Sequence, residues 1–225
     1  MTNLRPDFLI GSKGWHFNHW VGSFYPDDLP QDWWFSYYSN EFQAVLLPAD
    51  YIMRYDLSDW QSWLDDAPQD FTFYVEVSDA VDWPRTQQYL NVLRGQLGGL
   101  VLSIDAPIIN SKVNALVKGA SAYAPVSLDG QKPWAVEYGV DRLLQQLQVN
   151  SCWRGGVGSR VQWCFNAAAI VMRDDSVHNS PAELRVLLES CIKFGSSQGT
   201  VSLFFEGASP RIEDMQTATI ISQLL

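Results

Sequence analysis

Short apolar runs alternate with segments of helical period along this whole chain, and no linker or low-complexity stretch interrupts the alternation. The strand candidates are Asp7 to Gly11, Ala44 to Pro48, Thr72 to Val77, Leu100 to Asp105, Pro125 to Asp129, Ser151 to Arg154, Ala168 to Arg173 and Val201 to Glu206. Parallel strands need a long crossover between them, which the intervening helices supply. Eight such units in 225 residues predict an α/β protein, a (β/α)8 TIM barrel forming a single domain over residues 1–225. A doubly wound open sheet is the competing architecture.

The helical segments carry their own punctuation. In Ser180-Pro-Ala-Glu183 the serine can cap, the proline suits the first helical position and the glutamate completes a capping box. Leu184, Leu187, Leu188, Cys191 and Ile192 then share one face up to Gly195. A second stripe follows Pro133, with Val136, Val140, Leu143, Leu144 and Leu147. Further helices are expected over Gln31 to Glu41, Leu57 to Leu64, Trp83 to Gln96, Asn110 to Gly119 and Arg211 to Leu225. In the aromatic run Trp33 to Tyr38, helical spacing places Trp34, Tyr37 and Tyr38 on one face. That favours core packing over ligand stacking, and any exposed remainder would serve as a dimer contact.

Composition narrows the function. A net charge of −10, with only 15 Lys and Arg thinly spread, argues against nonspecific nucleic-acid binding and against attraction to an anionic membrane. No stretch reaches the roughly 18 apolar residues of a membrane span, and the start lacks a signal-peptide core, so a soluble cytoplasmic protein is expected. Cys152, Cys164 and Cys191 have no metal or disulfide spacing and read as buried thiols. Gly95 to Gly99 precedes a strand and lacks the lysine of a phosphate loop, and no Gly-x-Ser-x-Gly elbow occurs.

The pattern Ile10-Gly-Ser-Lys-Gly-Trp15, Trp20-Val-Gly-Ser-Phe-Tyr-Pro26, Leu29-Pro30 and Tyr37-Tyr-Ser-Asn-Glu-Phe42 resembles the N-terminal signature of the YecE-like family, domain of unknown function 72. A weaker likeness runs through Phe71 to Val75, Val171 to Arg173 and Val201 to Phe205. The resemblance implies a TIM barrel and a family without an established activity. It also marks departures. The family's polar run after the second strand appears as Val45 to Ile52, its third-strand lysine as Glu76, its R-x-H-G as Arg173 to Ser176, and its paired asparagines as Glu206-Gly207. Fold retained with polar positions changed is the pattern of a diverged site.

In a TIM barrel chemistry sits where the strands end. Here those ends supply His16 and His19, Asp50 and Tyr51, Glu76, Asp105, Asp129, Arg154, Arg173, Asp175 and Glu206. Glu76, Asp105, Asp129 and Glu206 are the candidate catalytic acids, and Arg173, with Arg154, the expected charge compensation. Trp15, His16, Tyr51 and Asp175 are the candidate ligand contacts. A diverged strand-end site that binds a small molecule or a protein without turnover is the leading expectation. A hydrolase, using a carboxylate pair or a metal, is the alternative. His16 and His19 lie in a loop with no helical register to aim both rings, and neither a resident metal nor another cofactor is expected.

Overall fold

All strand pairs in this computed structural model are parallel, and the sheet closes on itself in the order β1 to β8. The structure describes residues 7–78, 81–103, 111–129, 147–155, 167–173, 179–194 and 199–225. The strands are β1 (Asp7–Lys13), β2 (Ala44–Leu47), β3 (Thr72–Ser78), β4 (Leu97–Ser103), β5 (Val126–Asp129), β6 (Asn150–Gly155), β7 (Ala167–Arg173) and β8 (Thr200–Glu206). Among the described residues the helices are α1 (Trp34–Glu41), α2 (Tyr51–Arg54), α3 (Leu57–Asp66), α4 (Trp83–Val92), α5 (Ser111–Ser121), α6 (Pro181–Phe194) and α7 (Ile212–Leu224). A helix therefore follows β1, β2, β3, β4, β7 and β8, whereas the expected stripe Val136 to Leu144 lies outside the described residues. What is established is an α/β fold around a curled, closed parallel sheet. No described helix is long and apolar enough to cross a membrane.

The two faces of each strand serve two cores, as period-2 alternation requires. Val45, Leu47, Phe73, Val75, Leu100, Leu102, Leu203 and Phe205 face outward and join the aromatic side chains of the helices. Ala44, Leu46, Tyr74, Val101, Cys152 and Phe204 form a separate cluster inside the barrel, with Leu9 packed against it. The Tyr74 and Phe204 rings meet edge to face at 5.1 Å and fill much of that interior. A Cβ on Gly99 would sit 2.7 Å from the Tyr74 ring, and one on Gly98 2.3 Å from Thr72 Cγ2. These glycines thus lie inside β4, where they make room for a tyrosine; the expectation that they precede the strand is corrected by three residues.

The first strand and the first helix are locked through one hydroxyl. Tyr38, fully buried on α1, donates to the Ala44 carbonyl at 2.9 Å and accepts from the Ser12 amide at 2.8 Å. β1 and β2 approach so closely here that a Cβ on Gly11 would meet the Ala44 carbonyl oxygen at 1.9 Å. Burial pushes the Tyr38 phenol well above its ordinary range, so it remains a donor at any physiological pH. On α1 the buried side chains are Trp34, Phe35, Tyr38 and Ser39, while Trp33 and Tyr37 are exposed. The apolar stripe runs i, i+1, i+4 from Trp34, and Tyr37, expected inside, sits at its exposed edge with its ring against Phe24 and Tyr25.

Two of the three cysteines, Cys152 and Cys191, are buried thiols, and burial pushes Cys191 up to about 12; Cys164 lies outside the described residues. The expected capping box also forms: Ser180 N donates to Glu183 Oε2 at 2.8 Å, and Glu183 N to Ser180 Oγ at 3.3 Å.

Candidate functional site

The inward face of the strand ends carries charge. β1 continues two residues past its expected end at Gly11, and this extension puts Lys13 on the same face as Leu9. Lys13 Nζ lies 2.7 Å from Glu76 Oε2, at the end of β3, and 3.4 Å from Glu206 Oε2, the last residue of β8. Both carboxylates are almost entirely buried, and the lysine side chain keeps about a fifth of its surface exposed, 21%. Glu76 Oε2 also accepts from the Ala49 amide at 3.4 Å, which fixes the turn after β2. The third N–H of the ammonium has no partner among the described residues. One cation between two carboxylates offers a ligand both a donor and acceptors within a few ångströms of each other.

Among the acids singled out in the sequence, Asp129 ends β5, is buried, and pairs in register with Cys152 of β6. Arg173 ends β7 with its backbone in register with Glu206; nothing is described of its side chain or that of Arg154. Asp105 and Asp175 lie outside the described residues. Arginine was expected to offset the acids; among the described residues Lys13 is a cation that reaches both Glu76 and Glu206. Sequence reading missed it because β1 was ended at Gly11. The available signal was the alternation Leu9, Gly11, Lys13, which places the lysine on the interior face.

The candidate ligand contacts from the first two loops gather elsewhere. Trp15, a candidate ligand contact, is wholly buried and packs between sheet and helices against Phe35 at 4.8 Å and Trp63 at 4.7 Å. Gly14 permits this turn twice over: its φ is +76°, and a Cβ there would sit 2.8 Å from the Tyr51 hydroxyl. Tyr51 Oη and His16 Nδ1 share a hydrogen bond at 3.1 Å, and the His16 ring stacks on Tyr55 with 5.6 Å between centroids and 18° between planes. Burial, helped by the Arg54 charge, lowers His16 to about 4, so its imidazole is neutral at physiological pH. His19 and Trp20 instead reach Pro210, the indole N–H donating to its carbonyl at 2.7 Å, which closes the seam between the loops after β1 and β8.

A cleft of about 430 Å³ opens between the start of α1 and α3. Gln31, Asp32, Tyr55, Asp59, Ser62, Trp63 and His16 line it, with Trp15 and Phe35 as its floor. It shares no lining residue with the Lys13 cluster. Among the described residues no three His, Cys, Asp or Glu side chains are grouped to hold a metal ion.

A closed parallel α/β barrel with an ion cluster at the strand ends defines the class to which this chain belongs. The sequence profile described as "Protein of unknown function DUF72" matches residues 9–89 of the chain. A DUF72 family protein of Thermotoga maritima superposes with a TM-score of 0.68 at 14% identity, over 96% of this chain and 99% of that one. One from Enterococcus faecalis gives 0.67 at 12% identity, covering 97% and 96%. A D-psicose 3-epimerase, solved in the presence of D-fructose, gives 0.54 at 9% identity over 88% and 93%. At such identities the likeness concerns the fold. None of the curated proteins compared matches the chain.

Proposed function

We propose that this protein is a single-domain (β/α)8 barrel whose strand-end mouth binds a small hydroxyl-bearing molecule without turning it over. The observation that carries this reading is Lys13 Nζ held between Glu76 and Glu206 at 2.7 and 3.4 Å. The ammonium donates to a ligand oxygen while the carboxylates accept from hydroxyls, the donor and acceptor mixture that polyols and sugars satisfy. Asp129, at the end of β5, adds a further carboxylate to the rim in this reading, and Asp105, Arg173 and Asp175 complete it.

A hydrolase using Glu76 and Glu206 is the second reading, because the two Oε2 atoms cannot be farther apart than the two Lys13 distances together. That limit reaches the roughly 5 to 9.5 Å that carboxylate pairs of glycosidases span. Against it, the ammonium occupies the space in which a glycosidic oxygen would have to lie.

The test is calorimetry with D-fructose, D-psicose and inositol, the first two chosen because a protein of similar fold is a D-psicose 3-epimerase solved with D-fructose. Saturable binding that disappears in Lys13→Met, with the circular dichroism spectrum retained, is expected. Absence of binding for every probe overturns the reading. Turnover of nitrophenyl glycosides that is lost in Glu76→Gln replaces it with the hydrolase.

A further inference from the structure

The cleft between α1 and α3 is built from different chemistry. Three of its aromatic residues are only partly buried: His16, Tyr55 and Trp63. Tyr55 and Trp63 stand 5.0 Å apart with 72° between their planes, and His16 stacks on Tyr55. Trp15 backs Trp63 edge-on, with 88° between planes. Rings set nearly at right angles make a corner that encloses a compact group, where a single flat platform would stack a sugar or base. The volume of about 430 Å³ lies within the range of small-molecule pockets, roughly 300 to 1,000 Å³.

The charge of the lining selects among ligands. Asp32, in the turn before α1, and Asp59, on α3, contribute the acidic residues of the lining, Gln31 and Ser62 are neutral, and the lining holds neither lysine nor arginine. Asp59 Oδ2 accepts from the Asp56 amide, which anchors it at the start of α3. Arg54, outside the lining, acts electrostatically on His16 but is itself paired with Asp50 at 2.9 Å. Ring faces are negative and favour a cation, and two carboxylates over low-dielectric walls deepen the same potential. An anion would meet repulsion from both.

We infer that this cleft is a second binding site, separate from the barrel mouth, for a compact organic cation such as a quaternary or protonated amine. The aromatic corner takes the alkylated nitrogen, and Asp32 and Asp59 balance its charge. The neutral imidazole of His16 adds a ring without adding a like charge.

The test uses choline and tetramethylammonium against 3,3-dimethylbutan-1-ol, the uncharged isostere of choline, followed by calorimetry on the full chain. Choline should bind saturably, and the isostere on the order of tenfold or more weaker. Asp32→Asn, at an exposed position, should weaken choline several-fold, and Trp63→Leu should remove binding. Lys13→Met should leave choline binding unchanged, which separates this site from the mouth. Equal binding of the isostere, no heat from either cation at millimolar concentrations, or choline binding indifferent to Asp32→Asn overturns the proposal. If Trp63→Leu fails to fold, Tyr55→Leu and Asp32→Asn carry the decision. D-fructose binding that is lost in Tyr55→Leu and kept in Lys13→Met would reassign the cleft to sugars and likewise overturn it.

Discussion

Lys13 Nζ lies 2.7 Å from Glu76 Oε2, so the end of β1 is tied inside the barrel to the end of β3, past the intervening β2. The same ammonium reaches Glu206 on the other neighbour of β1. One side chain thus joins three strand ends at the mouth.

Replacing Lys13 by methionine removes the ammonium that lies between two nearly buried carboxylates. Breaking a fully buried pair costs about 3–5 kcal/mol; with the lysine partly exposed, a loss of roughly 2 kcal/mol is expected. Urea unfolding checks it. Lys13→Met combined with Glu76→Gln should lose less than the two single changes together, and additive losses would show that the pair does not interact.

Gly11→Ala should prevent the barrel from closing. The added Cβ would overlap the Ala44 carbonyl oxygen, which is backbone and cannot swing aside. A loss above about 3 kcal/mol or an insoluble chain is expected, and a thermal melt close to that of the unaltered protein would contradict the tight approach of β1 and β2.

Tyr38→Phe keeps the ring and removes the hydroxyl. The Ser12 amide then loses its 2.8 Å partner in a buried position, for which about 1–3 kcal/mol is expected. Hydrogen exchange should show Ser12 losing protection first, ahead of the far side of the barrel.

His16 should make the protein acid-sensitive in a defined window. Its folded value is lowered to about 4 from an ordinary 6.5, so between these values the unfolded chain binds a proton that the folded protein does not. Stability therefore rises with pH across that window. The contribution is fully in place above pH 6.5, falls away as the pH drops towards about 4, and amounts at most to about 3 kcal/mol. His16→Asn should flatten the difference between urea midpoints at pH 7 and pH 4.5. An unchanged pH slope in the variant would assign the sensitivity to other groups.

Much of this was legible in the sequence. Every strand candidate corresponds to an observed strand, mostly within two residues at each end, because apolar runs bounded by turn residues leave few other ways to bury a backbone. The capping box at Ser180 is a four-residue pattern and was read directly. The short helix α2 was not anticipated, having a single turn and no apolar period of its own. Tyr37 was turned the wrong way because an eight-residue helix with aromatics at almost every position has no contrast between its faces. The site suffered most from a small error. Ending β1 at Gly11 moved Lys13 from the inner face of a strand to a nominal loop, and so removed from consideration a cation that meets both Glu76 and Glu206.

Taken alone, the sequence determined the alternation of parallel strands and helices, the outward and inward faces of most strands, and the collection of acids at the strand ends. These are local properties, set by side-chain period and by turn chemistry over a few residues. Only the tertiary structure decided which charges meet. Lys13, Glu76 and Glu206 are separated by 63 and 193 residues from the first to each of the others, and a closed sheet alone brings the first, third and last strands around one axis. It also decided that Trp15 and His16 turn away from that axis towards α1 and α3. The reason is steric: Gly14 bends the chain under the Tyr51 hydroxyl, and the rings follow the backbone into the space between sheet and helices.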